Sequence, residues 1–311
     1  MKQFFLRISI FLLIVFVGAW AIDFVISYRL RHNENRMYAA WNHIYNDSLN
    51  YNLLVLGGSC AWAHYDTQVI DTALCVNSFN LGIDGSSINR QLLKYEKFCS
   101  IHGKPNILIQ NIDLGTLDFT HGYEREQFFS YFFYDRDLMR KFDQYENFTF
   151  AEKYVPCYRY LGYDEVWLES LFRDNKQHHF EYLIKGYCGR DYLWDGSVLA
   201  TMDTLSFECN TVALSLFTDF IEKELSAGVE VLLVFSPIYQ EVQDKLANLD
   251  EMYALYDSIA NLYTLPILNY HTIDFKGDTS YFYNGTHLNR KGAEVFTTKL
   301  AHDIDSLGLL K

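Results

Sequence analysis

Short apolar runs alternate with longer amphipathic stretches along most of this chain. Residues 52–56 (NLLVL), 76–81, 107–112 (ILIQNI), 229–235 (VEVLLVF) and 265–268 read as buried strands, being short and apolar on both alternating faces. Residues 86–102 have helical spacing, with Ile88, Leu92, Leu93, Tyr95, Phe98 and Cys99 on one side, and so do 210–227, 240–263 and 291–307. Gly103, Pro105, Gly228 and Pro237 punctuate the runs. Strands without a polar face, separated by helices, predict a parallel sheet covered on both sides. Right-handed crossovers then make an α/β fold, a three-layer α/β/α sandwich with a five-stranded parallel sheet.

Two segments break this rhythm. Near the N-terminus, Lys2 and Arg7 precede residues 8–22, which carry no charge, and 24–26 continue the apolar stretch past Asp23. Counted over 4–26, this is a full membrane span with Arg7 and Asp23 near the headgroups. Ala19-Trp20-Ala21 has the form of a cleavage site, so a removable signal peptide is the alternative; apolar sequence beyond the cut favours an uncleaved anchor. Arg29, Arg31 and Arg36 follow the span and offset Lys2 and Arg7, which leaves orientation open. The chain thus divides into an anchor (1–27), a juxtamembrane linker helix (28–50) and an α/β domain (51–311). The second break, 115–206, is an insertion, partly helical, where rings concentrate: Phe128, Phe129, Tyr131, Phe132, Phe133 and Tyr134, then Tyr154, Tyr158, Tyr160, Tyr163 and Trp167. Those rings either pack a small core of their own or wall a substrate site.

Composition narrows the function. With 311 residues the chain can bury a sizeable core, and a net charge of −13 argues against nucleic acid, where Lys and Arg neutralise phosphates. Aromatic residues are 17% of the chain, well above ordinary usage, and they gather in the insertion. Six cysteines without C-x-x-C spacing exclude a zinc ribbon or thioredoxin motif and leave the compartment undecided.

Ligands of an open parallel sheet bind outside the carboxyl ends of its strands. Ser59 ends the first strand, Gly82 and Gly85 follow the second, Asn111 closes the third, and Asn284 and His287 follow the fifth. A hydroxyl, flexible backbone donors, an amide and an imidazole on one rim are what acyl transfer needs. Serine is a poor nucleophile without a base, and each preorganised oxyanion donor is worth about 3–4 kcal/mol. Each piece alone has a plainer reading. Gly57-Gly58-Ser59 can be a tight turn (no Lys-Ser/Thr follows to make a P-loop), Gly82 and Gly85 can serve close packing, and Asn111 can satisfy a strand end. His287 is one of ten histidines, and His64 lies nearer Ser59 in sequence. Their convergence carries the argument.

Gly57-Gly58-Ser59, Asn80-Leu81-Gly82-Ile83-Asp84-Gly85 and Asn284-Gly285-Thr286-His287-Leu288-Asn289 resemble blocks of the SGNH (GDSL-like) hydrolase superfamily. In fuller form, LLVLGGSCAWAHYDTQVID, SFNLGIDGSS, KPNILIQNID and THLNRKGAEVF are similar to membrane-anchored members that act in envelope glycan acylation, the alginate acetylation and teichoic-acid D-alanine transfer type. The resemblance covers about 50–115 and 229–300; the family's Gly-x-Asn-Asp is not legible in the third block. It implies a flavodoxin-like fold with Ser59 as nucleophile and His287 as general base. The N–H groups of Ser59 and Gly85 would be oxyanion donors, with Asn111 a third. It also implies an extracytoplasmic domain, an envelope glycan substrate and no metal or organic cofactor. In the transferase version a polytopic membrane O-acyltransferase supplies the acyl group. The departure is Asn284, where the family has Asp. In a serine protease the corresponding change costs about four orders of magnitude through the wrong imidazole tautomer. Three readings follow: a Ser–His dyad, a substitute carboxylate (Asp278, Asp113 or Asp84), or a non-catalytic protein that binds glycan or a partner.

Overall fold

The computed structural model describes residues 1–33, 36–46, 50–118, 129–131, 134–146, 148–163, 181–196, 199, 202–271, 273, 275 and 278–310. It forms two compact units, residues 1–42 with 124–176 and residues 43–123 with 177–311. Phe128, Phe132, Phe133 and Trp167 lie outside the described residues.

The larger unit is built on β1 (Leu53–Leu56), β2 (Ser78–Asn80), β3 (Ile107–Asn111), β6 (Glu230–Phe235) and β7 (Ile267–Asn269), all parallel, in the order β2-β1-β3-β6-β7. Counted along the sheet's own strands this is 2-1-3-4-5, the flavodoxin-like order. The central strands β1 and β3 are buried at every position, which is why they read as unbroken apolar runs. On one face Leu53, Val55, Ile107, Ile109, Leu232 and Val234 pack with Phe296, Leu300 and Ile304 of the last helix. That helix, α11 (Arg290–Ser306), lies with α3 (Ser59–His64) and α4 (Thr67–Leu74). The opposite face carries α5 (Ile88–His102) and α8 (Thr211–Ser226), whose Tyr95 and Phe220 rings meet edge to face. The five-stranded sandwich predicted from the sequence is therefore present.

Local sequence explains the ends of these elements. Asp66 caps α4 through Gln68 N and Val69 N, Asn210 caps α8 through Val212 N and Ala213 N, and Asn289 caps α11 through Gly292 N. The helix predicted over 240–263 is two, α9 (Gln240–Gln243) and α10 (Leu249–Tyr263). Between them the backbone turns outward to Leu205: Leu205 N donates to Lys245 O at 3.0 Å and Ala247 N to Leu205 O at 2.9 Å. A strand-like bond to a distant segment has displaced one helical turn. Two hairpins, β4 (Glu181–Ile184) with β5 (Tyr187–Arg190) and β8 (Phe282–Asn284) with β9 (His287–Leu288), complete the unit. The expected insertion 115–206 is thus shared, residues 115–123 and 177–206 belonging to the α/β unit and 124–176 to the smaller one.

The smaller unit contains α1 (Lys2–Leu30), α6 (Arg136–Glu146) and α7 (Phe150–Tyr154); α2 (Arg36–Asn46) crosses from one unit to the other along the sequence. α1 is long and apolar enough to cross a membrane and passes Asp23 and residue 27 without a break. Asp23 is buried and ion-paired with buried Arg159, and its Oδ2 accepts from Cys157 N at 2.6 Å. Phe129, Tyr131, Phe142, Phe148 and Tyr160 are buried as the unit's own core, the first of the two roles proposed for the rings.

Candidate active site

The loops after the strands of the parallel sheet meet at one rim. A cavity of about 260 Å³ opens there, lined by Ser59 after β1, Gly85 after β2, Asp113 after β3, Ser236 after β6 and His271 after β7, with His287 from the β8–β9 hairpin. Topology alone gathers residues more than 200 positions apart in sequence.

Ser59 opens α3 immediately after Gly57 and Gly58. A Cβ on Gly57 would stand 2.7 Å from Ala61 Cβ and 2.9 Å from Asn111 Cβ, so only glycine allows this tight passage from strand to helix. The passage brings the Ser59 hydroxyl to the cavity, where Oγ lies 2.7 Å from His287 Nε2. The other ring nitrogen, Nδ1, lies 2.9 Å from Asn284 Oδ1 and 3.0 Å from Thr286 Oγ1. Ser59, His287 and Asn284 are thus hydrogen-bonded in series.

The orientation of Asn284 follows from its donors. Its Oδ1 accepts from Thr286 N at 3.0 Å and His287 N at 2.9 Å, an Asx turn that closes the hairpin. Backbone N–H groups can only meet the amide oxygen, so oxygen also faces Nδ1. That fixes the proton on Nδ1 and leaves Nε2 as the acceptor for the Ser59 hydroxyl. A Cβ on Gly285 would meet Val242 Cγ2 at 2.6 Å and Trp194 Cη2 at 3.3 Å, so a side chain here would have to displace them.

The ring of His287 is enclosed except where it faces the cavity. Burial and the nearby Arg190 cation lower its pKa to about 4, so the imidazole is neutral at pH 7, the state a base requires. Tyr283 stacks on it at 5.2 Å and 7°, and the Arg190 guanidinium caps Tyr283 at 4.8 Å and Trp62 at 5.0 Å. Behind the site, buried His64 accepts from Leu288 N at 3.0 Å and therefore donates from Nδ1 to Ser236 Oγ at 3.0 Å. Burial, then His287 and His271, hold its pKa well below the usual value. His64 ties the residue after His287 to the end of β6, and Ser59 bonds to His287 and not to it.

Gly85, with positive φ, lines the cavity together with Ser59. Asn111 does not border it. Its Oδ1 accepts from Tyr65 OH at 2.8 Å and its Nδ2 donates to Asp113 Oδ2 at 3.1 Å, so its amide is committed inside the fold. None of the three candidate carboxylates bonds to His287. Asp278 is exposed and caps Ser280, and Asp113 lines the cavity but accepts from Gly115 N and Thr116 Oγ1. Burial raises the Asp113 pKa against those hydrogen bonds. Leu114, Ile238, Leu246 and Met252 give the cavity an apolar wall. Among the described residues, no ring of the aromatic-rich segment lines it, and no cluster of His, Cys, Asp or Glu is arranged to hold a metal.

No protein-family model matches the chain, and no curated protein does. The solved structures similar to it include GDSL-type lipolytic proteins and acylhydrolases. One is described as a lipolytic protein of the G-D-S-L family from Desulfitobacterium hafniense, with 13% identity, a TM-score of 0.40, and coverage of 81% of this chain and 98% of that one. Another is described as an acylhydrolase from Bacteroides fragilis, with 11% identity, a TM-score of 0.40 and coverage of 84% and 89%. A third, described as a platelet activating factor from Streptococcus pneumonia, has 11% identity, a TM-score of 0.43 and coverage of 97% and 98%. The chemistry rests on the distances within this site.

Arg190 and Tyr283 escaped the sequence reading, which named His64 only as a rival to His287 and Thr286 only within the His287 block. Thr286 and Tyr283 were signalled only by adjacency to His287. Arg190 reaches the site through a hairpin whose pairing no local pattern announces.

Proposed function

We propose that the protein is a serine acyl-ester hydrolase of SGNH type, working through an acyl-enzyme on Ser59. The observation that carries this is the 2.7 Å contact between Ser59 Oγ and a neutral His287 whose tautomer Asn284 fixes. His287 Nε2 takes the hydroxyl proton as Oγ attacks the ester carbonyl, and returns it to the leaving alkoxide. The N–H groups of Ser59 and Gly85 receive the oxyanion. Water entering by the same path resolves the acyl-enzyme. The apolar wall of Leu114, Ile238, Leu246 and Met252 suits the acyl part of the ester.

The finer reading is an acyl ester of a cell-envelope glycan, cleaved to water or passed to a sugar hydroxyl. In the second case a polytopic membrane O-acyltransferase would load Ser59. It rests on the resemblance of the Ser59 and His287 blocks to envelope-acylation proteins, and on α1, a helix long and apolar enough to anchor the domain to a membrane. The site residues named here need neither metal nor organic cofactor for this chemistry.

The test is turnover of p-nitrophenyl acetate and of an acetylated glycan by the full chain in detergent, with and without Ser59→Ala. Loss of turnover in the variant, with a covalent acetyl adduct trapped on the parent protein, supports the reading. A parent protein that turns over neither ester and still binds glycan identifies a non-catalytic binding protein instead.

A further inference from the structure

The second group of rings has no place in this chemistry. Outside α1, large apolar side chains stand exposed most densely between 150 and 161: Phe150 is 74% exposed, Leu161 67% and Tyr154 60%, with Val155 and Tyr158 between them. They are not on a slack loop. Thr149 and Glu152 form a capping box that holds α7, and the Phe150 and Tyr154 rings pair at 4.8 Å.

Their height along α1 is fixed. Cys157 Sγ bonds to Ala19 O at 3.3 Å and Cys157 N to Asp23 Oδ2 at 2.6 Å. Arg159 pairs with Asp23, and Tyr160 OH lies 2.7 Å from Ser27 Oγ. Residues 1–18, Met1 and the first turns of α1, are exposed throughout. At about 1.5 Å per residue they extend about 27 Å, close to the roughly 30 Å hydrocarbon core of a bilayer. If α1 spans, the segment beside Ala19 sits where hydrocarbon gives way to headgroups, the level at which Trp and Tyr concentrate. Trp20 and Tyr154 wall one cleft at that level, together with Arg136 and Arg140.

We propose that residues 150–161 form a collar around the emerging end of α1 that lies in the lipid interface, with Phe150, Tyr154, Val155, Tyr158 and Leu161 in contact with acyl chains and headgroups. The occupant of this surface is the bilayer itself. Asp23, a costly residue near a membrane, is tolerated because the collar brings Arg159 and Cys157 N to it. The collar is independent of the chemistry at Ser59.

The experiment places the full chain in nanodiscs of phosphatidylcholine brominated near the top of its acyl chains. Tryptophan is introduced singly as Phe150→Trp, Leu161→Trp, Leu13→Trp and Val212→Trp, and quenching is read as the increment over the parent protein. The collar predicts increments for Phe150→Trp and Leu161→Trp of at least about half that for Leu13→Trp, which marks the span, and none for Val212→Trp on α8. Quenching at Leu13→Trp with none at Phe150→Trp and Leu161→Trp overturns the collar and leaves the anchor. No quenching at Leu13→Trp overturns both. Ester turnover in these variants reports separately that the α/β unit is folded.

Discussion

Asn284 turns its amide oxygen, and not its nitrogen, toward Nδ1 of His287, at 2.9 Å. An asparagine free to rotate can present NH₂ to the ring and impose the useless tautomer, which is the main loss when a triad aspartate is replaced. Here the N–H groups of Thr286 and His287 prevent that rotation. What the site lacks relative to a Ser–His–Asp triad is the negative charge that stabilises the imidazolium. Asn284→Asp is therefore expected to raise kcat on p-nitrophenyl acetate by on the order of tenfold to a hundredfold. Asn284→Ala, which removes the acceptor of both backbone donors and leaves Nδ1–H only Thr286 Oγ1, is expected to lower it by about a hundredfold. Unchanged kcat in both would remove Asn284 from the machinery.

The proposed base, His287, titrates low. Because burial and Arg190 lower the His287 pKa to about 4, the imidazole accepts a proton only in acid. The acid limb of kcat/KM is expected well below the ordinary 6.5 of a free imidazole, with full activity retained through pH 6. In Asn284→Asp the new carboxylate favours the imidazolium, so the limb moves to higher pH. A wild-type limb centred near 6.5 contradicts the enclosed, uncompensated ring.

Arg190 acts on that ring through Tyr283. Arg190→Met keeps much of the apolar stem and removes the charge, which is expected to shift the acid limb upward while leaving the Ser59–His287 contact intact. A pH profile superimposable on wild type would show that Arg190 serves packing alone.

Gly57→Ala tests the turn that places Ser59 against His287. The new Cβ would meet Ala61 at 2.7 Å and Asn111 at 2.9 Å, so β1 and α3 must separate. Loss of about 1–3 kcal/mol of stability is expected, with a larger fall in kcat than in binding as Ser59 moves off His287. Chemical denaturation and the split between kcat and KM read the two effects apart.

Acid stability follows from two buried imidazoles, His64 and His271, and the part-buried His287. Burial lowers the pKa of His287 and His271 to about 4, and holds that of His64 well down. Unfolding lets each take up a proton below the unfolded value of about 6.5, so their contribution is complete above that pH and is lost as pH falls toward 4. Each adds a slope of about 1.4 kcal/mol per pH unit in that window. His64→Phe is expected to flatten the slope while lowering stability at pH 7, because Leu288 N and Ser236 Oγ lose their partner. Thermal unfolding of the α/β unit between pH 4 and 7.5 measures both.

The strands of the sheet were legible because each is buried on both faces, and an apolar run is the direct imprint of such burial. Ser59, Gly85, Asn284 and His287 were legible because the carboxyl ends of parallel strands form the rim and turn residues mark those ends. Asn111 was misjudged: it does end a strand, but whether its amide faces the rim or the interior depends on Tyr65 and Asp113, which arrive from elsewhere. The break between α9 and α10 was hidden for the same reason, since Leu205 supplies the competing bond.

By itself, then, the sequence determined the sheet, its helix layers, an apolar first helix and the candidate nucleophile and base, all features written in local pattern. Only the tertiary structure decided that Asn284 holds the correct tautomer, that Arg190 and Tyr283 bear on the base, and that Asp23 has Arg159 for a partner. The division of the aromatic surplus, part buried core and part exposed side chains, was decided there too. Each of these depends on contacts between residues distant in the chain, and such contacts are fixed by packing, which leaves no period in the sequence to read.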